Sequence, residues 1–149
     1  MRRNPTSKYC PVCHEQFFLV RGRSKANSCS ECYGLYRPLY TLIHCAKYRA
    51  KKNNSEFNLD IHWAIEQPRI CPKTNLPLSY SDNGNNYGVR NPLAASIDKI
   101  DSKKGYTKDN CQIVCWWYNV SKQDFKEERI IDLCRAVVNT FDTKAAQDV

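Results

Sequence analysis

The spacing of apolar residues predicts several helices along the chain. Between residues 35 and 67, apolar side chains recur every three or four positions, the period of an amphipathic helix. Asn53, Asn54 and Ser55 follow a basic segment and are expected to end the first helix. Asp60 is placed to cap a second, short helix. A further helix is predicted through residues 130–141, with a frayed tail at 143–149. The stripe of the first helix consists of Leu35, Leu39, Leu42, Ile43, Ala46 and Ala50.

Two shorter apolar runs predict a pair of antiparallel strands. They cover residues 93–100 and 111–117, and a polar loop that contains Gly105 joins them. A helix is expected from about Asn119. Residues 68–92 hold four prolines and the turn-forming segment 82–86, so they are predicted to be a loop.

Composition adds a preference for a polyanionic partner. The 149 residues are 42% hydrophobic and 26% charged, which is typical of a globular protein. The 23 Lys and Arg residues exceed the 15 Asp and Glu residues and give a formal charge of +8. Such a surplus favours nucleic acid, and simple solubility is the alternative.

The chain contains no apolar run of the roughly 18 residues that a membrane span requires. Positive charge near Met1 is not followed by an apolar stretch, so no secretion signal is predicted. A cytoplasmic protein without a membrane partner is expected. Its nine cysteines are then metal ligands or buried free thiols.

Four of the cysteines form two C-x2-C pairs separated by fifteen residues. Each pair can present two thiolates from one tight turn, and together they complete a tetrahedron around Zn²⁺. The zinc is expected to be structural, because a catalytic zinc keeps an open coordination position. His14 is an alternative ligand, but four cysteines already fill the tetrahedral coordination and leave no position for it. The predicted zinc ligands are Cys10, Cys13, Cys29 and Cys32.

The stretch from Ser96 to Lys122 carries the candidate chemistry. Asp98 lies near the end of the first predicted strand, and Asn119 follows the second strand at the start of a helix. A hairpin that leads into a helix brings these two positions together. One carboxylate oxygen and one amide oxygen suit Mg²⁺, with water and substrate phosphate at the remaining positions.

This stretch resembles the metal finger of the HNH, or ββα-metal, nuclease family. Ser-Ile-Asp-Lys-Ile-Asp, Gly-Tyr-Thr, Asp-Asn and Asn-x-x-Lys occur in the family's order and at similar spacing. The resemblance implies that Asp98 and Asn119 bind one Mg²⁺ or Mn²⁺. It also implies that the side chain of Asn110 pins the loop between the strands.

One position departs from the family, since Lys99 stands where its general-base histidine is usual. The chain is similar to a cysteine-rich branch, the Pac-type rare-cutting restriction endonucleases, in which a tyrosine acts instead. Tyr106 matches that tyrosine. An unperturbed phenol is protonated at neutral pH, so Lys99 and the metal would have to favour the phenolate. Tyr106 is thus a base, a nucleophile or a packing residue. Lys99 stabilises the transition state or contacts backbone.

The same branch carries a second zinc site, and here each of its cysteine pairs has lost one member. Cys71 and Cys115 remain, so we predict no second zinc and two thiols packed as small hydrophobes. A buried thiol is also predicted at Cys45, Cys111 and Cys134. Trp63, Trp116 and Trp117 are expected in the core, with base stacking by one of them as the alternative.

The sequence therefore predicts an α+β protein with an N-terminal zinc knuckle, a ββα-metal (HNH-like) centre and flanking helices. The expected regions are a zinc module (1–34), a helical and loop region (35–92), the metal centre with the C-terminal helix (93–142) and a tail (143–149). Its predicted function is metal-dependent hydrolysis of phosphodiester bonds in DNA, expected to be double-stranded. The expected cofactors are one structural Zn²⁺ and one catalytic Mg²⁺ or Mn²⁺. The candidate DNA contacts are Arg21, Arg23, Lys25, Lys103, Lys104 and Lys122.

Two other functions stay open. The chain is alternatively a catalytically inactive, zinc-containing nucleic-acid-binding protein that kept the fold after losing its histidine. A weaker option is an adaptor that binds a replication or packaging protein through the C-terminal helix. By the resemblance, a nuclease of this kind is encoded by a phage or mobile element and acts in the host cytosol. A homodimer is a possible assembly.

Overall fold

The computed structural model describes residues 7–19, 27–80 and 90–147, with side chains up to 143. Its strands pair into two separate antiparallel two-stranded sheets, β1 with β2 and β3 with β4. The protein thus mixes helices and strands, as predicted. No helix in the described ranges is both long and apolar enough to cross a membrane. The elements are β1 (Ser7–Tyr9), β2 (Gln16–Phe18), α1 (Tyr33–Lys52), α2 (Ile61–Glu66), β3 (Ala95–Lys99), β4 (Cys111–Cys115), α3 (Trp116–Lys122) and α4 (Glu127–Gln147).

The boundaries of α1 and α2 follow from the local sequence. The N–H of Asn53 donates to the carbonyl of Arg49, and Asn54 has a positive φ of 48°, which ends α1. The Asp60 carboxylate accepts a hydrogen bond of 2.8 Å from the N–H of Trp63 and caps α2. Both predicted boundaries are confirmed.

The β3–β4 hairpin is confirmed, with Asp98 opposite Gln112 in register. Helix α3 begins directly after β4, three residues before the expected start at Asn119. Helix α4 extends to Gln147, into the segment 143–149 that was predicted to be a frayed tail, and fraying of this segment stays a prediction. Ala145 and Ala146 have high helix propensity, which favours this extension.

The core joins α1 and α2 to the β3–β4 hairpin. Leu39, Ala46 and Ala50 of the predicted α1 stripe are buried, and the stripe's other three members pack against the same cluster. Trp63 is buried, but Trp116 is half-buried and Trp117 is 44% exposed. The expectation that all three tryptophans lie in the core is therefore wrong for Trp117, which α3 directs outward.

The segment after α1 is clamped onto the hairpin loop. The N–H of Tyr106 donates to the carbonyl of Glu56 at 2.8 Å, and the N–H of Asn58 donates to the carbonyl of Tyr106 at 3.1 Å. A Cβ at Gly105 would lie 2.5 Å from the Glu56 carbonyl oxygen. Glycine at position 105 is thus required by close backbone approach, and the contact fixes Tyr106 beside α1.

Candidate functional site

The first candidate site is the cluster of four cysteines at the N-terminus. The four sulfur atoms lie within 4.8 Å of one another, and the Sγ atoms of Cys13 and Cys29 are 3.9 Å apart. Thiolates at Zn–S distances of ~2.3 Å around a tetrahedral zinc are separated by roughly 3.8 Å. The spacing and the all-sulfur donor set fit this geometry, so the cluster could hold a zinc ion. The cluster comprises Cys10, Cys13, Cys29 and Cys32.

Tight turns bring the two cysteine pairs together. In the β1–β2 turn, the N–H of Cys10 donates to the Glu15 carbonyl and the N–H of His14 donates to the Cys10 carbonyl. At the second pair, the N–H of Cys32 donates to the Cys29 sulfur at 3.4 Å, directly before α1. His14 itself is exposed and lies outside the four-sulfur group.

Ionisation of these thiols is uneven. Burial of Cys10 opposes its thiolate, but backbone hydrogen bonds from Cys13, Cys29 and Val12 outweigh that effect and lower the pKa of Cys10 to about 6. Burial and the neighbouring thiols raise the pKa of Cys32. A bound divalent cation would favour the thiolate at all four positions, since thiolates are its ligands.

The second candidate site is a cavity of about 560 Å³ bordered by α1, β3, the hairpin loop and α3. Four residues predicted from the sequence line it, namely Asp98, Lys99, Tyr106 and Asn119. Its wall also carries three arginines that the sequence analysis did not single out, namely Arg37, Arg49 and Arg90. The cavity therefore combines two candidate oxygen ligands, Asp98 and Asn119, with several cations, a composition that suits a metal ion and a phosphate.

Asp98 is buried and held at both oxygens. Its Oδ1 accepts a hydrogen bond of 2.9 Å from the Lys122 ammonium, and its Oδ2 accepts one of 2.9 Å from the Gln112 amide. The side chain of Lys122 is only 6% exposed. The expectation that Lys122 contacts DNA from the surface therefore conflicts with its buried ion pair. A carboxylate has about four lone-pair sites, so Asp98 keeps the capacity to bind a cation.

Asn119 is fixed by its amide nitrogen. Its Nδ2 donates to the Ser96 hydroxyl at 2.8 Å and to the Ile97 carbonyl at 3.0 Å. The Oδ1 oxygen remains as the acceptor of that side chain. Asp98 and Asn119 thus present one carboxylate and one amide oxygen at the same cavity, a donor set that fits a hard divalent cation.

Lys99 and Asn110 hold the loop of the hairpin. The Lys99 ammonium donates to the carbonyls of Ser102 and Lys104, which corresponds to the backbone-contact alternative. The Asn110 Nδ2 donates to the carbonyls of Asp101 and Gly105, at 3.1 and 2.9 Å. Its Oδ1 accepts from the N–H of Asp101 at 3.0 Å. Asn110 therefore lies behind the loop and is placed to position it.

Tyr106 contacts a residue that the sequence analysis missed. Its side chain is buried, and its hydroxyl oxygen accepts a hydrogen bond of 3.0 Å from the Nε–H of Arg49. The guanidinium carbon of Arg49 is also 5.4 Å from the centre of the tyrosine ring. The basic last turn of α1 is the feature of the sequence that contains Arg49. No short spacing in the sequence relates this turn to a tyrosine in the hairpin loop.

The remaining predicted DNA contacts are placed only in part. Lys103 and Lys104 are exposed in the hairpin loop and are accessible from solvent. Arg21, Arg23 and Lys25 lie outside the described residues, as does the predicted turn at 82–86.

The other cysteines differ in burial. Cys71 and Cys115 are buried side by side, with the N–H of Cys115 donating to the Cys71 sulfur at 3.3 Å. Thr74 occupies the second place of the first pair, with its hydroxyl 4.0 Å from the Cys115 sulfur. The absence of a second zinc at these two thiols stays a prediction. Cys111 is buried and Cys134 is half-buried, but Cys45 is exposed on α1, so the buried-thiol prediction is wrong there.

Comparison with known proteins gives one structural similarity. No protein-family model matches the chain, and no curated protein matches it closely enough to count as a relative. A solved structure, described as that of "the rare-cutting HNH restriction endonuclease PacI", is similar over 92% of this chain and 97% of that chain. The TM-score is 0.46 and the sequence identity is 16%. Because both values are low, this similarity by itself assigns no function to the chain.

Proposed function

We propose that the chain is a metal-dependent endonuclease of the HNH type that hydrolyses phosphodiester bonds in double-stranded DNA. The observation that carries the proposal is the convergence of Asp98, Lys99, Tyr106 and Asn119 on one cavity with arginines in its wall. Two hard oxygen ligands and several cations are suited to hold a divalent metal and a phosphodiester together.

Asp98 and Asn119 are the residues that would hold one Mg²⁺ or Mn²⁺. When bound, such an ion neutralises charge on the scissile phosphate and on the departing 3′ oxygen. The hydrogen bonds from Gln112 and Lys122 orient the Asp98 carboxylate, and those to Ser96 and Ile97 orient the Asn119 amide. Both ligand oxygens are thus fixed before substrate binds, which limits reorganisation during the reaction.

In this proposal the reaction is assisted by Tyr106, and water is the attacking group. Exposed Lys103 and Lys104 contact the DNA backbone from the hairpin loop.

The cysteine cluster binds one structural zinc, which holds the N-terminal module together because metal-binding energy is folding energy in a small module. An origin in a phage or mobile element rests on the sequence resemblance alone.

One observation favours a second candidate function, a catalytically inactive nucleic-acid-binding protein. Lys122 already places an ammonium group against Asp98, so a cation of the protein itself compensates the carboxylate. A protein with this pairing and without bound metal would keep its cationic cavity for phosphate binding. The two functions share the fold and the cysteine cluster and differ in whether the cavity binds a divalent metal.

Cleavage of supercoiled plasmid distinguishes the two functions. The zinc-loaded protein is incubated with plasmid and Mg²⁺, Mn²⁺ or EDTA, and DNA binding is measured in parallel by gel shift. The nuclease proposal expects nicked or linear product with Mg²⁺ or Mn²⁺, and neither with EDTA. Asn119→Ala should bind DNA and not cleave it. Binding without cleavage by the wild-type protein in either metal would leave the inactive binding protein as the function.

A further inference from the structure

Among the described residues, the guanidinium of Arg49 uses one of its donors. Arg49 lies in the last turn of α1, and its Nε–H donates to the Tyr106 hydroxyl. Across the ranges that the structure describes, the Arg49 side chain makes this hydrogen bond and no ion pair. A guanidinium carries five N–H donors in a planar fork. The other four donors, all on the two terminal nitrogens, therefore have no partner in the described part of the chain and lie at the wall of the cavity.

Tyr106 is a rigid support for that guanidinium. Its backbone is hydrogen-bonded on both sides to Glu56 and Asn58, and its side chain is 8% exposed. The cations of Arg49 and Lys99 lie 5.4 and 5.3 Å from the centre of its ring, within the range of attraction between a cation and an aromatic face. The hydrogen bond and the ring contact together fix the plane of the Arg49 fork.

The other cations of the cavity are held by different contacts. Lys99 donates to two backbone carbonyls, and the guanidinium carbon of Arg90 lies 5.4 Å from the ring of Trp116. A terminal nitrogen of Arg37 donates to the Tyr33 hydroxyl at 2.6 Å. Arg49 differs from these cations because its Nε–H is hydrogen-bonded to a cavity residue, Tyr106, whose ring also contacts the guanidinium. Among the described residues, its two terminal nitrogens have no hydrogen-bond partner, so they can face a phosphate beside the candidate metal ligands.

We propose that Arg49 binds the non-bridging oxygens of the scissile phosphodiester and that Tyr106 is the residue that positions it. The inference rests on the proposed nuclease function and deepens it. A fixed guanidinium fork binds phosphate through two parallel N–H···O contacts, which a lysine cannot reproduce. Tyr106 then assists cleavage through Arg49, since its oxygen accepts the Arg49 Nε–H.

A double-mutant cycle separates positioning from proton transfer. Single-turnover cleavage is measured at saturating Mg²⁺ for Arg49→Ala, Tyr106→Phe and the double variant, with folding checked by thermal unfolding. Loss of a phosphate-stabilising group is expected to slow cleavage by about 10²–10³-fold in Arg49→Ala. Tyr106→Phe should be slower than wild type, and the double variant should be no slower than Arg49→Ala alone. If Tyr106→Phe slows cleavage by the same factor in the Arg49→Ala protein as in the wild-type protein, Tyr106 acts independently of Arg49 and the inference is wrong.

Two further readouts distinguish a positioning role from a structural one. Arg49→Lys keeps the charge but loses the fork, so it should cleave at a rate between those of wild type and Arg49→Ala. The dependence of the cleavage rate on pH should keep its shape in Tyr106→Phe. A proton-transfer role for Tyr106 would remove one limb of that profile and would contradict the inference.

Salt dependence of DNA binding provides a readout that needs no cleavage. Binding to a duplex oligonucleotide is measured with Ca²⁺ across a salt series. Losing one phosphate contact should reduce the slope of log K against log [salt] by about 0.9 in Arg49→Ala. The matched control is Arg135→Ala, an exposed arginine on α4, which should leave the slope unchanged.

The two measurements together separate the inference from the proposed function. If the wild-type protein does not cleave but Arg49→Ala shows the reduced slope, the nuclease proposal fails and the phosphate contact stands. If the wild-type protein cleaves and Arg49→Ala cleaves at the same rate, the inference fails and the nuclease proposal stands. An unchanged slope in a protein that does not cleave contradicts both.

Discussion

The two candidate metal sites of this protein differ in ligand type and in closure. The cysteine cluster presents four sulfur atoms within 4.8 Å of one another, which could complete a tetrahedron around zinc and would then leave no position for a substrate. The cavity presents two candidate oxygen ligands, Asp98 and Asn119, in a space of about 560 Å³. Because a hard cation held by two protein ligands would keep further positions for water and phosphate, we propose the cavity, the open site, as the place of chemistry. The cluster is suited to a structural role.

The largest effect is expected from Asp98→Ala, which alters the open site, the cavity of Asp98 and Asn119, in two ways. Loss of the metal ligand should reduce Mg²⁺-dependent cleavage by at least roughly 10³-fold. Loss of the carboxylate also leaves the Lys122 ammonium buried without its partner. We expect unfolding in denaturant to show a loss of about 3–5 kcal/mol, the usual cost of breaking a buried pair.

Two variants separate these effects of Asp98→Ala. Asn119→Ala should lose cleavage without disturbing the Asp98–Lys122 pair. Asp98→Ala combined with Lys122→Met should recover stability and remain inactive. A stable Asp98→Ala protein would show that the buried ion pair contributes little to the fold.

The next largest effect concerns the closed site, the cluster of four cysteines. Cys10→Ser removes one ligand of a complete set, and the module should lose its zinc and much of its order, because binding energy there is folding energy. Elemental analysis should show about one zinc per chain in the wild-type protein and close to none in the variant. Cys134→Ser, a half-buried cysteine on α4, is the control and should keep its zinc. Two zinc ions per wild-type chain would mean that Cys71 and Cys115 recruit additional ligands.

A smaller effect is expected from Gly105→Ala, which tests how the open site is assembled from distant segments. The added Cβ would lie 2.5 Å from the backbone oxygen of Glu56, so the hairpin loop must shift and carry Tyr106 with it. Overpacking of this kind costs about 1–3 kcal/mol, and slower cleavage should accompany it. Gly34→Ala is the matched control, since a Cβ there meets nothing within 4 Å and alanine favours the helix. Equal stability of the two variants would show that the loop adapts without cost.

The contrast between the sites explains which features could be predicted from sequence. The cysteine pairs are recognisable because each lies within one turn, and Asp60 and Asn53 act on their immediate neighbours. The β3–β4 hairpin and the positions of Asp98 and Asn119 also follow from short spacings. These features depend on local geometry, which a pattern of residues specifies directly.

Contacts between distant segments were not predictable in this way. Arg49 and Tyr106 are 57 positions apart, and their hydrogen bond depends on how α1 packs on the hairpin. Lys122 has the sequence signature of a surface cation, but α3 directs it toward Asp98 in the interior. Its charge and its position on the helix do not by themselves indicate that Lys122 has a buried partner. Tertiary packing decides that, and a single sequence does not specify it by spacing.

Direct metal binding tests the central claim, that the chain has one closed thiolate site and one open oxygen site. The zinc-loaded wild-type protein and Asn119→Ala are titrated with Mn²⁺ and followed by electron paramagnetic resonance, with zinc measured in the same samples. We expect about one Mn²⁺ per wild-type chain, strongly weakened Mn²⁺ binding in Asn119→Ala, and the same zinc content in both. Equal Mn²⁺ binding by the two proteins, or Mn²⁺ binding only where zinc is lost, would contradict the claim.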